Sequence, residues 1–304
     1  MIPKLDNLVE GWFVIPLKSG LFFWVGGGLA YIWHRGGWKA FWKTFSLIDL
    51  EKTNLAVVLL FVGFVLIMAV ASSLLKHFDD VILRALEGYY WPSGVLIRWT
   101  RWQDQKWREK ETRRQTLTND LHNKKELSRK ERDELADLER QLMHLPEKDN
   151  RLPTRLGNTL RGYEQRPREK YGLDAFVCWP RLWILLPKEV REEVSLARNN
   201  LDTAIHTWIW SLLFLVWGIW ALWAIVVGLV LTFFSYRWIL QAARIYGQLV
   251  EASFDIHRFA LYESLHWPLP TNPAEERPRG KQLTAYLWRG SEEPKPEFTV
   301  LSSE

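Results

Sequence analysis

His206, Asp255 and His257 are the side chains of this sequence best suited by type to acid–base work, and their spacing leaves them little of it. Asp255 and His257 sit two apart in what reads as helix, so they face different ways and make a poor catalytic pair. His206 stands at the start of a long apolar run, where an imidazole hydrogen-bonds at a membrane interface or serves as a gating or pH-sensing group. The one cysteine, Cys178, has no partner for a disulfide and reads, beside Trp179, as an ordinary small apolar residue. There is no His-Glu-x-x-His zinc pattern, no Gly-x-Ser-x-Gly elbow and no phosphate-binding Gly-Lys-Ser/Thr loop. The apolar runs lack the acids on which ion-coupled transporters depend, and no inverted repeat is evident. The expectation is a protein that is not an enzyme, with no catalytic residue, no cofactor and no metal site.

The elements around these residues belong to a membrane. Apolar residues concentrate in 11–33, 55–75 and 203–236 instead of being spread as a soluble core requires. Most of the 19 tryptophans lie at the edges of those runs, where amphipathic rings collect at the membrane–water boundary. That placement explains them better than a cofactor or sugar site. Trp33, Trp38, Phe41, Trp42, Trp217, Trp220, Trp223 and Trp238 are the candidate interface residues. The start of the chain has Asp6 and Glu10 and no small-residue cleavage site, so it does not read as a removable signal peptide.

A span needs ~20 apolar residues for a bilayer core of about 30 Å. The first is expected from Ser19 to Trp33, or from Trp12 if the stem of Lys18 reaches back to the interface. Gly20 and Gly26, Gly27 and Gly28 let another helix approach it closely, or else let it kink. Trp38, Phe41, Trp42 and Phe45 share one helical face, the pattern of a helix lying in the interface plane over 37–47. Asn54–Leu75 is an uncharged span with Gly63 as a contact position. Thr203–Tyr236 holds no Asp, Glu, Lys or Arg and is too long for one upright span. A hairpin gives its tryptophans a place, with Trp217, Gly218, Trp220 and Trp223 at the turn, and Gly228 as a further contact. Its legs of about 16 residues are short for a bilayer.

Residues 76–200 carry 26 Lys and Arg against 21 Asp and Glu, a surplus equal to the chain's net charge of +5. Ser128 and Glu131 form a capping box, predicting a break near 123–128 and a helix from Arg129 to Leu145. Leu135, Leu138, Leu142 and Leu145 make one seam, and Leu117 and Leu121 a thinner partner seam, so an antiparallel hairpin is expected. Acids alternate with bases along it, which argues against nucleic acid. Over 151–174, Gly157, Gly162, Pro167 and Gly172 read as punctuation between loop and short helix. Residues 175–187 read as an interfacial or re-entrant segment, or as core beneath the hairpin. Pro187 opens a helix with Val190, Val194, Ala197 and Leu201 on one side, leading into the apolar run. An amphipathic helix follows Tyr236 and stops at Pro268. Residues 271–304 read as mobile apart from a short helix at Leu283–Trp288.

Lys76, Arg84, Arg191 and Arg198 at one boundary, and Arg237 and Arg244 at another, place both flanks in the cytosol. Arg35, Lys39 and Lys43 run against that placement. The expected fold is an all-α multi-pass protein of the cell membrane, with four transmembrane helices in two hairpins. A cytosolic helical-hairpin domain is inserted between spans 2 and 3, and both termini are cytosolic. The divisions are 1–75, 76–200, 201–240 and 241–304. The expected function is an integral membrane anchor, sensor or accessory protein whose cytosolic domain recruits or responds to a partner. The alternative is a homo-oligomeric ion channel or pore-forming effector. Expected partners are a lipid bilayer with an anionic inner leaflet, further copies of the chain and a cytosolic protein.

Overall fold

The computed structural model describes residues 15–45, 50–123, 127–142 and 145–290, and every regular element among them is helical. In order these are α1 (Ile15–His34), α2 (Gly37–Phe45), α3 (Leu50–His77), α4 (Asp79–Glu87), α5 (Ser93–His122) and α6 (Arg129–Leu142). There follow α7 (Arg155–Tyr171), α8 (Ala175–Leu185), α9 (Lys188–Phe214), a 3-10 turn at Leu215–Ile219, α10 (Leu222–Ser264) and α11 (Pro273–Arg289). The expectations for a leader at the N-terminus and for mobility beyond Gly290 fall outside the described residues.

The chain divides into two compact units. One comprises Met1–Leu83 with Asn199–Ala242, the other Arg84–Arg198 with Ala243–Glu304. The sequence reading separates 76–200 from 241–304, whereas α11 packs against α7 and α8 in a single discontinuous unit.

In the first unit α1 packs against α2, α3 and the 3-10 turn. Glycines make the approach possible: a Cβ on Gly27 would lie 2.5 Å from the Trp217 ring, and one on Gly26 would run into Phe214. The apolar run does double back. Ala221 N donates to Trp217 O at 3.0 Å, Phe214 and Trp223 rings lie 6.5 Å apart, and a Cβ on Gly228 would sit 2.6 Å from Leu215 Cδ2. Its hydroxyls bond within their own helices, as Thr207 does to Thr203 O (2.8 Å) and Ser235 to Leu231 O (2.6 Å). An apolar surround therefore meets no bare polar side chain at these positions.

Among the described residues two helices are long and apolar enough to cross a membrane: α9 with its 3-10 extension, and α10. A third is reached if residues 62–77 and α4, bent by 56°, form one broken span. The expected four spans are thus met only in part. α1 and α3 are present as helices of 20 and 28 residues.

The second unit has two centres. α5 and α6 form the expected antiparallel hairpin, fastened by Arg113–Glu134 (2.8 Å) and Lys110–Gln141 (2.6 Å). Ser128 N donates to Glu131 Oε2 at 2.8 Å and Glu131 N to Ser128 Oγ at 3.3 Å, the reciprocal capping box. The seam is Leu117, Leu127, Leu135 and Leu138; Leu121 is exposed, and α6 ends at Leu142, short of Leu145. Leu121 lies one turn beyond Leu117, and the seam is completed by Leu127, just ahead of α6.

The other centre is an apolar core of α8, the start of α9, the end of α10 and α11, with Cys178, Leu182, Phe254, Tyr262 and Leu283 fully buried. Residues 175–185 therefore pack as core, but against α10 and α11 instead of the α5–α6 hairpin. α7 runs unbroken through Gly157, Gly162 and Pro167, contrary to their reading as punctuation. Gly157 is there because the main chain passes close by: a Cβ would lie 2.5 Å from Glu87 O. Only Gly172 ends a helix, at φ +75°, where a Cβ would also collide with the main chain of α11. α11 itself spans 17 residues, far more than the short helix expected at Leu283–Trp288, with Asn272 capping Ala274 N (3.0 Å) and Glu275 N (3.1 Å).

Candidate functional site

Two constellations of ionisable groups stand out, one in each unit. In the second unit α7 ends in Lys170 and Tyr171 against the face of α10 that carries Glu251, Asp255 and Arg258. Lys170 Nζ lies 2.7 Å from Glu251 and 3.0 Å from Asp255, and Tyr171 Oη donates to Asp255 Oδ1 at 2.6 Å. The Arg258 guanidinium stacks 4.2 Å from the centre of the Tyr171 ring and pairs with Glu276 at 2.5 Å. Burial alone would lower the Lys170 ammonium, but Glu251 and Asp255 outweigh it and hold its pKa above the ordinary lysine value. Burial and the bond to Asp255 push the Tyr171 phenol up to about 12. Arg166, 3.6 Å from Glu251, brings the cations to three against three carboxylates, and the cluster ties α7, α10 and α11 together. Asp255 serves this network; it is not paired with His257.

Cys178 is fully buried, its Sγ 3.7 Å from Thr284 Oγ1, and burial lifts its thiol to about 11. A thiol held protonated is no nucleophile. Glu87, at the polar end of α4, is raised to about 7 by burial and then by the charge of Glu164, against the opposing pull of Arg198, Arg84 and Arg161. Among the described residues no group of three or more His, Cys, Asp and Glu gathers as a metal would require. An open groove of about 600 Å³ runs along Trp183, Lys188, Arg191, Glu192, Ser195 and Leu196.

In the first unit His206 is buried and its Nε2 lies 2.5 Å from Asp79 Oδ1. Either the neutral Nε2–H tautomer or the imidazolium donates this bond. Asp79 was not singled out from sequence. The signal is an acid in the first turn of a helix just past Lys76 and His77, which end α3.

The other expected positions fall into three groups. Gly26, Gly27, Gly218 and Gly228 lie against neighbouring side chains, whereas Gly28 and Gly63 meet nothing within 4 Å. Trp33, Trp38, Trp42 and Trp238 are exposed, and Trp38, Phe41 and Trp42 form one ring cluster. Trp217 and Trp220 stack at 5.1 Å and are half-buried against α1: Trp217 Nε1 donates to Phe23 O at 3.1 Å, and Trp220 meets Tyr31 at 5.3 Å. Trp223 packs beside Phe214 across the turn. The ring cluster around Phe23 also draws in Trp210, 5.1 Å away.

No protein-family model, curated protein or solved structure matches this chain. Its function is read from its own residues.

Proposed function

We propose that the protein is an integral membrane anchor, sensor or accessory subunit whose helical unit recruits or answers to a partner in the cytosol. In this reading α1, α3 and the two legs of the α9–α10 hairpin are four spans, with both termini cytosolic. The observation that carries it lies at the base of the hairpin, where the Arg198 guanidinium rests 5.8 Å from the Tyr246 ring centre. That contact supports reading the sequence before α9 and the sequence after the apolar part of α10 as lying on one side. That side bears Arg191, Arg198, Arg237 and Arg244, and positive flanks face the cytosol. Arg35, Lys39 and Lys43 follow α1 on the other side, held by the exposed aromatic helix α2 at the interface. His206, closed on Asp79, is the point at which such a sensor would be released.

Anchor is preferred to channel because Phe23, Trp210, Phe214 and Trp217 fill the described interior of the first unit with rings. Purified protein in planar bilayers, with its size in detergent, tests this. A silent protein is expected, and a conducting ring of subunits overturns the reading. Cysteines introduced at exposed Arg132 and Trp42 test the sidedness, with Arg132 labelled from the cytosolic side alone.

A further inference from the structure

Past α4 the chain presents an aromatic stripe to the outside. Tyr89 and Tyr90, which follow the left-handed Gly88, and Trp99 and Trp102 on α5 are 43–59% exposed. The indoles are not isolated rings: Trp91 meets Trp99 at 6.2 Å, and Trp99 meets Trp102 at 5.2 Å. Lys106 Nζ caps the series 4.0 Å above the Trp102 ring. Trp99, Trp102 and Lys106 succeed one another in steps of three and four, so they form one edge of the helix.

Water is a poor surround for such a surface, since exposed apolar area in contiguous patches marks a contact. Residues 89–108 hold four bases (Arg98, Arg101, Lys106 and Arg108) and one acid, Asp104. Asp104 is taken by Arg151 at 2.9 Å, so the stripe is flanked by net positive charge. Clustered indoles and exposed phenols edged with Lys and Arg are what the headgroup layer of an anionic leaflet accommodates: rings at the acyl boundary, cations among phosphates. The chain also limits where the stripe can be. Between the end of α3 and Tyr89 lie only α4, about 13 Å of helix, and one turn.

We infer that this stripe, Tyr89–Trp91 with Trp99 and Trp102, is a peripheral lipid-binding surface seated on the anionic leaflet that α3 enters. The inference rests on the reading of α3 as a span. A membrane is favoured over single-stranded nucleic acid because the Trp102 face already carries Lys106 and because the chain holds the stripe within reach of a bilayer.

The test uses the full-length protein in lipid nanodiscs, with an environment-sensitive dye on one introduced cysteine at a time, Cys178 being buried. Gln105→Cys reports the stripe, Val70→Cys reports α3, and Arg132→Cys on α6 reports water. With headgroup-spin-labelled anionic lipid, the dye at 105 is expected to blue-shift and lose intensity several-fold more than the dye at 132. Trp99→Ala with Trp102→Ala abolishes that difference, and zwitterionic discs reduce it. A dye at 70 quenched by acyl-chain labels with no quenching at 105 overturns the stripe proposal and leaves the span standing. No quenching at either position overturns both. A response at 105 to single-stranded oligonucleotide in place of lipid also overturns the proposal.

Discussion

Asp79 Oδ1 stands 2.5 Å from His206 Nε2, joining the acid that opens α4 to a helix 127 positions further along the chain. His206 is almost wholly withdrawn from water and Asp79 partly so. Removing the Asp79 carboxylate leaves the buried imidazole without its bond, at a cost of about 2 kcal/mol, and removing His206 costs less because water reaches Asp79. His206→Ala and Asp79→Ala are each expected to lower the melting temperature in detergent. The double variant should cost less than the sum of the two, and strict additivity would show that the pair does not act as one.

The α1 glycines are expected to split by position. Gly26→Leu and Gly27→Leu force side chains into Phe214 and Trp217, an overpacking that costs about 1–3 kcal/mol. Gly28→Leu enters open space and should leave stability unchanged or raised, because leucine favours helix. Thermal unfolding of the three variants in one detergent decides it; equal effects would contradict the packing.

Glu87 supplies a pH dependence with a definite sign. Its carboxyl titrates near 7 in the folded protein against an ordinary 4.5, so folding disfavours its charged form. The penalty is absent below 4.5, grows as the pH rises and is complete above about 7. Glu87→Gln should therefore raise the melting temperature at pH 8 and leave it unchanged at pH 4. Stabilisation that does not vary between the two would assign the effect to something other than this ionisation.

Cys178 should be silent toward a thiol reagent at pH 8, since its thiol is buried and titrates near 11. Denaturant should release one reactive thiol per chain. Thr284→Val withdraws the hydroxyl beside the sulfur and should leave the folded protein just as unreactive, because burial is the larger cause.

What could be read from the sequence was what periodicity and charge encode directly. The capping box at Ser128 and Glu131, the α9 face of Val194, Ala197 and Leu201, and the fold of 203–236 back on itself all follow from local pattern. What could not be read depends on partners distant in sequence. Gly157 and Gly172 look alike in the chain; one lies in the first turn of α7 under Glu87 and the other ends that helix against α11. α11 was hidden by its charge and its prolines, although Asn272 followed by Pro273 is a helix start in its own right. Asp79 as the partner of His206 needed the fold.

α10 continues for 43 residues without a break, about 64 Å of rise. It begins at the apolar turn and ends among the buried residues Leu261 and Tyr262. One uninterrupted ladder of backbone bonds thus carries the chain out of the apolar run and into the core beyond it, with no loop at which a protease could cut between them.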